Sequence, residues 1–250
     1  NGFSSSLPVD TQEDAIRTIP GLENCEIIRP GYAVEYDAID ATQLYPSLEV
    51  KEMGGLYFAG QVNGTSGYEE AAAQGLLAGV NAARKILGKD EFILGRSDSY
   101  IGVMVDDLVS LHIDEPYRMF TSRAEYRLHL RSDNAEARLM QKGFDIGLLE
   151  PHLLEAYQKS RKCVDIAIKH LEKTKVSMEE TNKYLATRNE SAMSFAPKAM
   201  GLLKRPNTDL NNILKLANYE GILTEREKRE LYAEVLYEGF RYRQDREIQR

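Results

Sequence analysis

The chain has 250 residues, 42% hydrophobic and 28% charged, with a formal net charge of -7, the balance of one or two globular domains able to close a substantial core. Its 18 glycines and 8 prolines exclude a collagen-like or low-complexity chain. No apolar run approaches the length of a membrane span, so no membrane partner is expected. Cys25 and Cys163 are too few for a disulfide framework and suit a reducing, cytoplasmic compartment. NGFSSSLPVD lacks the basic-then-apolar order of a signal peptide.

The charge is unevenly spread: the balance is -8 over residues 1–100, -3 over 101–150 and +4 over 151–250. A global anion-binding surface is disfavoured, whereas a local one in the last two fifths of the chain is compatible with this distribution.

Taken in order, DTQEDAIRTI (residues 10–19) predicts a short helix stopped by Pro20 and Gly21. CEIIRPG, YAVEYD and GLYFAGQ predict extended segments, rich in β-branched or aromatic residues and bounded by turn formers. GLYFAG, short and apolar between glycines, predicts a strand buried on both faces. After it, QVNGTSGYEEAAAQGLLAGVNAARKILG predicts a Gly-rich turn and a helix from about Tyr68 to Leu87, with Gly88 as its stop. Ala72, Leu76, Val80, Ala83 and Leu87 form its apolar stripe.

YIGVMVDDLV (residues 100–109) reads as partly buried and leads to EPYRMFTSRAEYRLHLRSDNAEARL. Ser122 and Glu125 have capping-box spacing, and a helix there would place Arg123, Arg127 and Arg131 on one face. From Pro151 onward the pattern is helical. Leu154, Tyr157, Val164, Ile168 and Leu171 make one stripe, and further helices are expected at 179–185, 199–203, 210–217 and 225–241. Thr224 and Glu227 make a second capping-box pattern, followed by Leu231, Val235 and Leu236 as packing residues. The expected architecture is α/β plus α, with one domain over 1–148 and an α-helical domain over 149–250.

The chemistry centres on Gly55 to Gly88. Amides at a helix N-terminus attract phosphate or another electron-rich group, and glycines allow close approach. Gln61 and Asn63 add amides, and Thr65 and Ser66 add hydroxyls. A flavin, a nucleotide or a phosphorylated ligand fits this pattern, and so does a plain βα connection with no ligand. Glu69 and Glu70 suit the positive end of the helix and disfavour the most anionic part of a cofactor.

His112, His129, His152 and His170 have no partner at metal-ligand spacing, so no metal is expected, and His170 reads as a helix-surface residue. Asp106 and Asp107 read as surface or capping residues. Arg118, Arg123, Arg127 and Arg131, interleaved with Tyr117, Phe120 and Tyr126, suit phosphates and bases or internal ion pairs equally. Lys204, Arg205 and the terminal Arg241, Arg243, Arg246 and Arg250 offer a second backbone-binding surface.

In combination, GLYFAGQVNGTSGYEEAAAQGLLAGVNAA, YIGVMVDDL, EPYRMFTSRAEYRLHLRSDNAEARL, FAPKAMGLLKRP, YEGFRYRQ and RPGYAVEYD resemble the glucose-inhibited division protein A family. That resemblance spans essentially the whole chain. It implies the carboxy-terminal portion of a two-dinucleotide-type FAD-binding domain, followed by a helical domain. The implied enzyme adds an aminomethyl or carboxymethylaminomethyl group at carbon 5 of the transfer RNA wobble uridine. The resemblance also implies FAD, NADH as reductant, methylene-tetrahydrofolate as one-carbon donor, a GTPase subunit as partner, and a homodimer. Gln61 is the implied FAD contact, with Gly60, Asn63, Gly64 and Thr65 beside it, and Arg123, Arg127, Arg131, Lys204 and Arg205 are candidates for RNA. The family's GxGxxG fingerprint and cysteine motif do not occur in the sequence, so this portion alone is expected to be inactive. A non-catalytic RNA-binding or partner-docking module is the alternative.

Overall fold

The computed structural model describes residues 5–32, 35–112 and 115–248, with the side chains of 241–243, 245 and 247 outside that description. All regular structure among these residues is helical: α1 (Val9–Arg17), α2 (Tyr68–Ile86), α3 (Tyr100–Ser110), α4 (Ala135–Asp145), α5 (Pro151–Lys173), α6 (Met178–Ala186), α7 (Ala199–Leu203), α8 (Leu210–Leu216) and α9 (Glu225–Ile248). Short 3-10 turns lie at 41–43, 61–63, 121–123 and 132–134.

The expected α/β class is therefore corrected, because no β-strand forms among the described residues. Only isolated bridges occur: Leu44 with Val50, Glu49 with Tyr57, Thr65 with Tyr117, and Lys175 with Lys198. Leu56 to Ala59 are half-buried rather than enclosed on both faces. Gly54 and Gly55, the latter at φ 88, fold the chain back just before them, so Val50 N–H reaches Leu56 O and Phe58 N–H reaches Leu48 O within one tight loop. The Phe58 carbonyl then accepts from Asn63 Nδ2 at 3.0 Å. Loop and side-chain partners satisfy this backbone, so no ladder extends. CEIIRPG is also irregular, with Ile28 fully exposed. Ala33 and Val34 of YAVEYD lie outside the described residues.

The buried face of α2 is opposite to the expected one. Glu70, Gln74, Leu77, Ala78 and Asn81 are buried, while Ala72, Leu76, Ala83 and Leu87 are exposed. The core beneath it gathers Leu44, Leu48, Leu77, Met104, Val105, Leu108 and Tyr117. Leu48 sits at φ 67 with its side chain fully buried, so its packing offsets the cost of a left-handed backbone. Two polar side chains complete this face. Asn81 Nδ2 donates to Ser47 O and Phe92 O, and its Oδ1 accepts from Phe92 N at 2.7 Å, tying both loops to the helix.

The second core lies entirely in the later helices, with Val164, Leu171, Leu185, Leu202, Leu203, Ile213 and Leu231 at its centre. Ser160 Oγ donates to Glu227, and Arg161 Nη1 donates to Glu230 at 2.7 Å, joining α5 to α9. The Thr224–Glu227 capping box forms in both directions, at 2.7 and 3.2 Å. His170 is half-buried, its Nε2 2.7 Å from Ala217 O, rather than a surface residue. Leu231 and Val235 pack inward as expected, but Leu236 is exposed.

No α-helix spans 121–131. Arg123 Nε donates to Arg118 O, Arg96 Nη2 to Arg123 O, Arg131 Nη1 to Leu128 O and Asn134 Nδ2 to His129 O. Side chains thus take the carbonyls that a helix would use for its own ladder. Glu125, needed for the expected cap, instead pairs with Arg96 at 2.7 Å.

Candidate functional site

Between Phe58 and α2 the chain makes a tight turn at Gly60, with φ 87, and a second at Gly64, with φ 76. Gln74, fully buried nearly two turns into α2, organises both. Its Oε1 accepts from Gly60 N at 3.0 Å and from Asn63 Nδ2 at 2.8 Å, while its Nε2 donates to Thr65 Oγ1 at 2.9 Å. Thr65 Oγ1 donates on to Gly60 O at 2.9 Å.

The structure therefore brings Gly60, Asn63 and Thr65 together as the frame of the turn and leaves Gln61 exposed beside them. At Gly64 a Cβ would meet open space. The N-cap residue of α2 is Gly67, which has no side chain to cap the first amides.

On the far side of the turn, Tyr117 N donates to Gly64 O at 2.8 Å. The Tyr117 hydroxyl, fully buried, donates to Asp107 Oδ2 at 2.8 Å, and Arg96 Nη1 reaches Asp107 Oδ1 at 2.6 Å. Burial first, and then the Asp107 carboxylate, push the Tyr117 hydroxyl well above the ordinary phenol range. Asp107 is thus a buried ion-pair partner rather than a surface residue. Sequence reasoning missed Gln74, Asn81, Asp107 and Arg96. A usable signal was the spacing of Glu70, Gln74, Leu77 and Asn81, which mark one α2 face with mostly polar side chains.

The five candidate RNA residues are dispersed. Arg123 lies over the Tyr117 ring at 4.4 Å and is partly exposed, and Arg127 is exposed. Arg131 is largely buried, paired twice with Asp133 at 2.9 Å and stacked over Tyr237 at 4.6 Å. Because no helix forms, the three arginines share no helix face. Lys204 pairs with Glu238 at 2.5 Å on the surface, and Arg205 with Glu190 at 3.0 Å. Arg250 and the side chains of Arg241 and Arg243 lie outside the described residues. No group of three His, Cys, Asp or Glu residues able to hold a metal occurs among the described residues, and no described helix is long and apolar enough to cross a membrane.

Residues 1–90 match the family described as Glucose inhibited division protein A, and residues 153–245 match the tRNA modifying enzyme MnmG/GidA C-terminal helical domain. The chain belongs to the glucose-inhibited division protein A family. It is 52% identical over 213 residues to the tRNA uridine 5-carboxymethylaminomethyl modification enzyme MnmG of Ureaplasma parvum serovar 3, covering 85% of this chain and 34% of that protein. It is 47% identical over 240 residues to the protein of the same description from Bacillus subtilis, covering 96% of this chain and 38% of the relative. The form II crystal structure of Aquifex aeolicus GidA superposes with a TM-score of 0.78 at 40% identity, over 97% of this chain and 38% of that one. The chain thus spans a little over a third of the family members it matches.

Proposed function

We propose that this chain forms part of an FAD-dependent enzyme that modifies carbon 5 of the transfer RNA wobble uridine by aminomethyl or carboxymethylaminomethyl addition. In this reading the enzyme is a cytoplasmic homodimer with a GTPase partner, methylene-tetrahydrofolate as one-carbon donor and NADH as reductant. The observation that carries the reading is 47–52% identity, over 85–96% of this chain, to relatives described as enzymes of that activity.

The residues present fit a flavin. Exposed Gln61, the open face of Gly64 and the first amides of α2, whose N-cap residue Gly67 supplies no side-chain cap, together offer hydrogen-bond partners. Glu69 and Glu70 in the first turn disfavour a pyrophosphate there, so these groups suit the carbonyl and ring-nitrogen edge of the cofactor. Bound reduced flavin supplies the electrons of the reaction. Gln61 and the amides orient its ring, while Gly60, Asn63 and Thr65, held by Gln74, keep the turn in the shape that presents them.

Arg123, Arg127 and Lys204 are the exposed cations of the RNA set and neutralise phosphates in this reading, with Arg131 and Arg205 holding the surrounding loops. Two measurements test the proposal in the protein that carries this chain. Gln61→Ala should raise the FAD dissociation constant several-fold in a flavin-fluorescence titration without lowering the melting temperature. Arg123→Gln with Arg127→Gln should flatten the salt dependence of transfer RNA binding. Tight RNA binding by a protein that retains no flavin would instead favour the non-catalytic RNA-binding module.

A further inference from the structure

Helical period divides α5 into two sides. Leu154, Val164, Ala167 and Leu171 are its buried side, and residues 159, 162, 166, 169 and 173, spaced by threes and fours, lie on the opposite one. From residue 159 to 175 the exposed residues are Lys159, Lys162, Ile166, Lys169, Lys173 and Lys175, so the face is cationic and contains no acid. Just past the helix, Lys175 forms an antiparallel bridge with Lys198, which is also exposed and extends the line. At about 1.5 Å per residue, the stretch from Lys159 to Lys173 alone is about 21 Å long.

None of these lysines has an ion pair among the described residues; the ion pairs of α5 belong to His152 and Arg161. Asp165 is committed to Arg161 at 2.7 Å, Glu172 is half-buried, and exposed Glu155 precedes the line by one turn without pairing with Lys159. The arrangement also works against the fold. Lys169 and Lys173 are like charges one helical turn apart, and Lys175 and Lys198 are like charges directly opposite in a bridge. Elsewhere the cations are relieved: Arg131 by Asp133, Lys204 by Glu238 and Arg205 by Glu190. In a chain of net charge -7, a line of unrelieved ammonium groups fits a polyanionic partner that supplies the missing countercharge.

We propose that this face of α5, continued by Lys175 and Lys198, follows the phosphate backbone of an RNA. The inference rests on the transfer RNA reading above and adds a contact surface outside the residues named there. The ammonium groups are spread along a line instead of converging on a point, which suits a string of phosphates and not a single small anion. A membrane surface fits less well, because an interfacial helix lays its apolar face into the lipid and the apolar face of α5 is already buried in the second core. Contacts of this kind hold and orient an RNA without reading its sequence.

The test is filter binding of a transfer RNA over a range of salt concentrations, using the protein that carries this chain with Lys162→Gln, Lys169→Gln and Lys173→Gln combined. Each neutralised phosphate contributes about 0.7–0.9 to the slope of log affinity against log salt, so this variant should lose about 2–3 of that slope and bind about tenfold or more weakly at low salt. Its melting temperature should stay the same or rise, because a repulsion has been removed. Lys89→Gln, Lys183→Gln and Lys215→Gln, at three exposed lysines elsewhere, change the net charge equally and should leave the slope in place. An unchanged slope in the α5 variant overturns the proposal, as does an equal loss in the control variant, which would report net charge alone. If the unsubstituted protein binds no transfer RNA, the transfer RNA reading fails separately, and the α5 face is judged with a short RNA duplex of arbitrary sequence. Salt-sensitive duplex binding that the α5 variant loses sustains the proposal; no duplex binding, or binding to phosphatidylserine vesicles alone, overturns it.

Discussion

Gly60 donates its backbone N–H to the side-chain oxygen of Gln74, fourteen residues later, at 3.0 Å in the buried interior. The same oxygen accepts from Asn63, and the amide nitrogen serves Thr65, so one side chain sets the path of the whole turn. Replacing Gln74 by Leu removes three partners at once in a water-free place. It should destabilise the protein by about 2–4 kcal/mol, and Gln61 should lose its ordered position. Urea unfolding measures the first effect and flavin affinity the second; an unchanged midpoint would contradict the role given to Gln74.

Gly67 and Glu70 conflict sterically if the glycine acquires a side chain. A Cβ at Gly67 would stand inside the Glu70 carboxylate, although the backbone there has an ordinary negative φ of -92. Gly67→Ala should therefore cost about 1–3 kcal/mol by overpacking, and Glu70→Ala in the same chain should return most of that loss. A double-mutant cycle read by thermal melting distinguishes this from a backbone effect, which Glu70→Ala would leave in place.

The buried Tyr117 hydroxyl is held protonated by burial and by Asp107. Its folded pKa lies above the unfolded value of about 10, so its contribution is complete below that pH and is lost as pH rises toward the folded value. Above pH 10 the unfolded chain has released the proton while the folded one keeps it, and stability falls by about 1.4 kcal/mol per pH unit from this group. Tyr117→Phe should be less stable at neutral pH by about 1–2 kcal/mol and should show a shallower decline between pH 9 and 11. Denaturant curves across that range provide the comparison, and parallel pH profiles would exclude the coupling.

Arg161 joins α5 to α9 through Glu230 and Glu234, with Asp165 on its other side, and these carboxylates hold its guanidinium firmly charged. Glu230 and Glu234 have side-chain exposures of only 13% and 12%, so removal of the cation takes from both carboxylates a charged partner at the helix interface. Arg161→Met should cost about 3–5 kcal/mol, and adding Glu230→Gln and Glu234→Gln should recover part of it. The melting temperature of the two variants decides the matter.

Position and type of α1, α2 and the helices from Pro151 onward were legible in the sequence because the relevant information is local, whereas α3 was read only as partly buried and α4 was not anticipated. Pro151 at the first turn of α5, the stripe from Leu154 to Leu171, and Thr224 with Glu227 lie within a few residues of the structure they specify. The resemblance to the family was legible for the same reason, being carried by short contiguous motifs. Ser122 and Glu125 had the same spacing as the successful cap, yet Arg96 took Glu125, and the resulting loop separated Arg123, Arg127 and Arg131. GLYFAG met every local criterion for a strand, but a strand exists only if neighbouring backbone extends its ladder, and loop and side-chain partners satisfied its polar groups instead. In α2 both faces carry small or apolar residues at helical spacing. The tertiary structure buried the face bearing Glu70, Gln74 and Asn81 because those side chains meet the backbone polar groups of loops at Gly60, Met119 and Phe92. Hydrophobic period registers apolar area; which polar atoms find partners across 11 to 49 residues is settled only when the chain has folded.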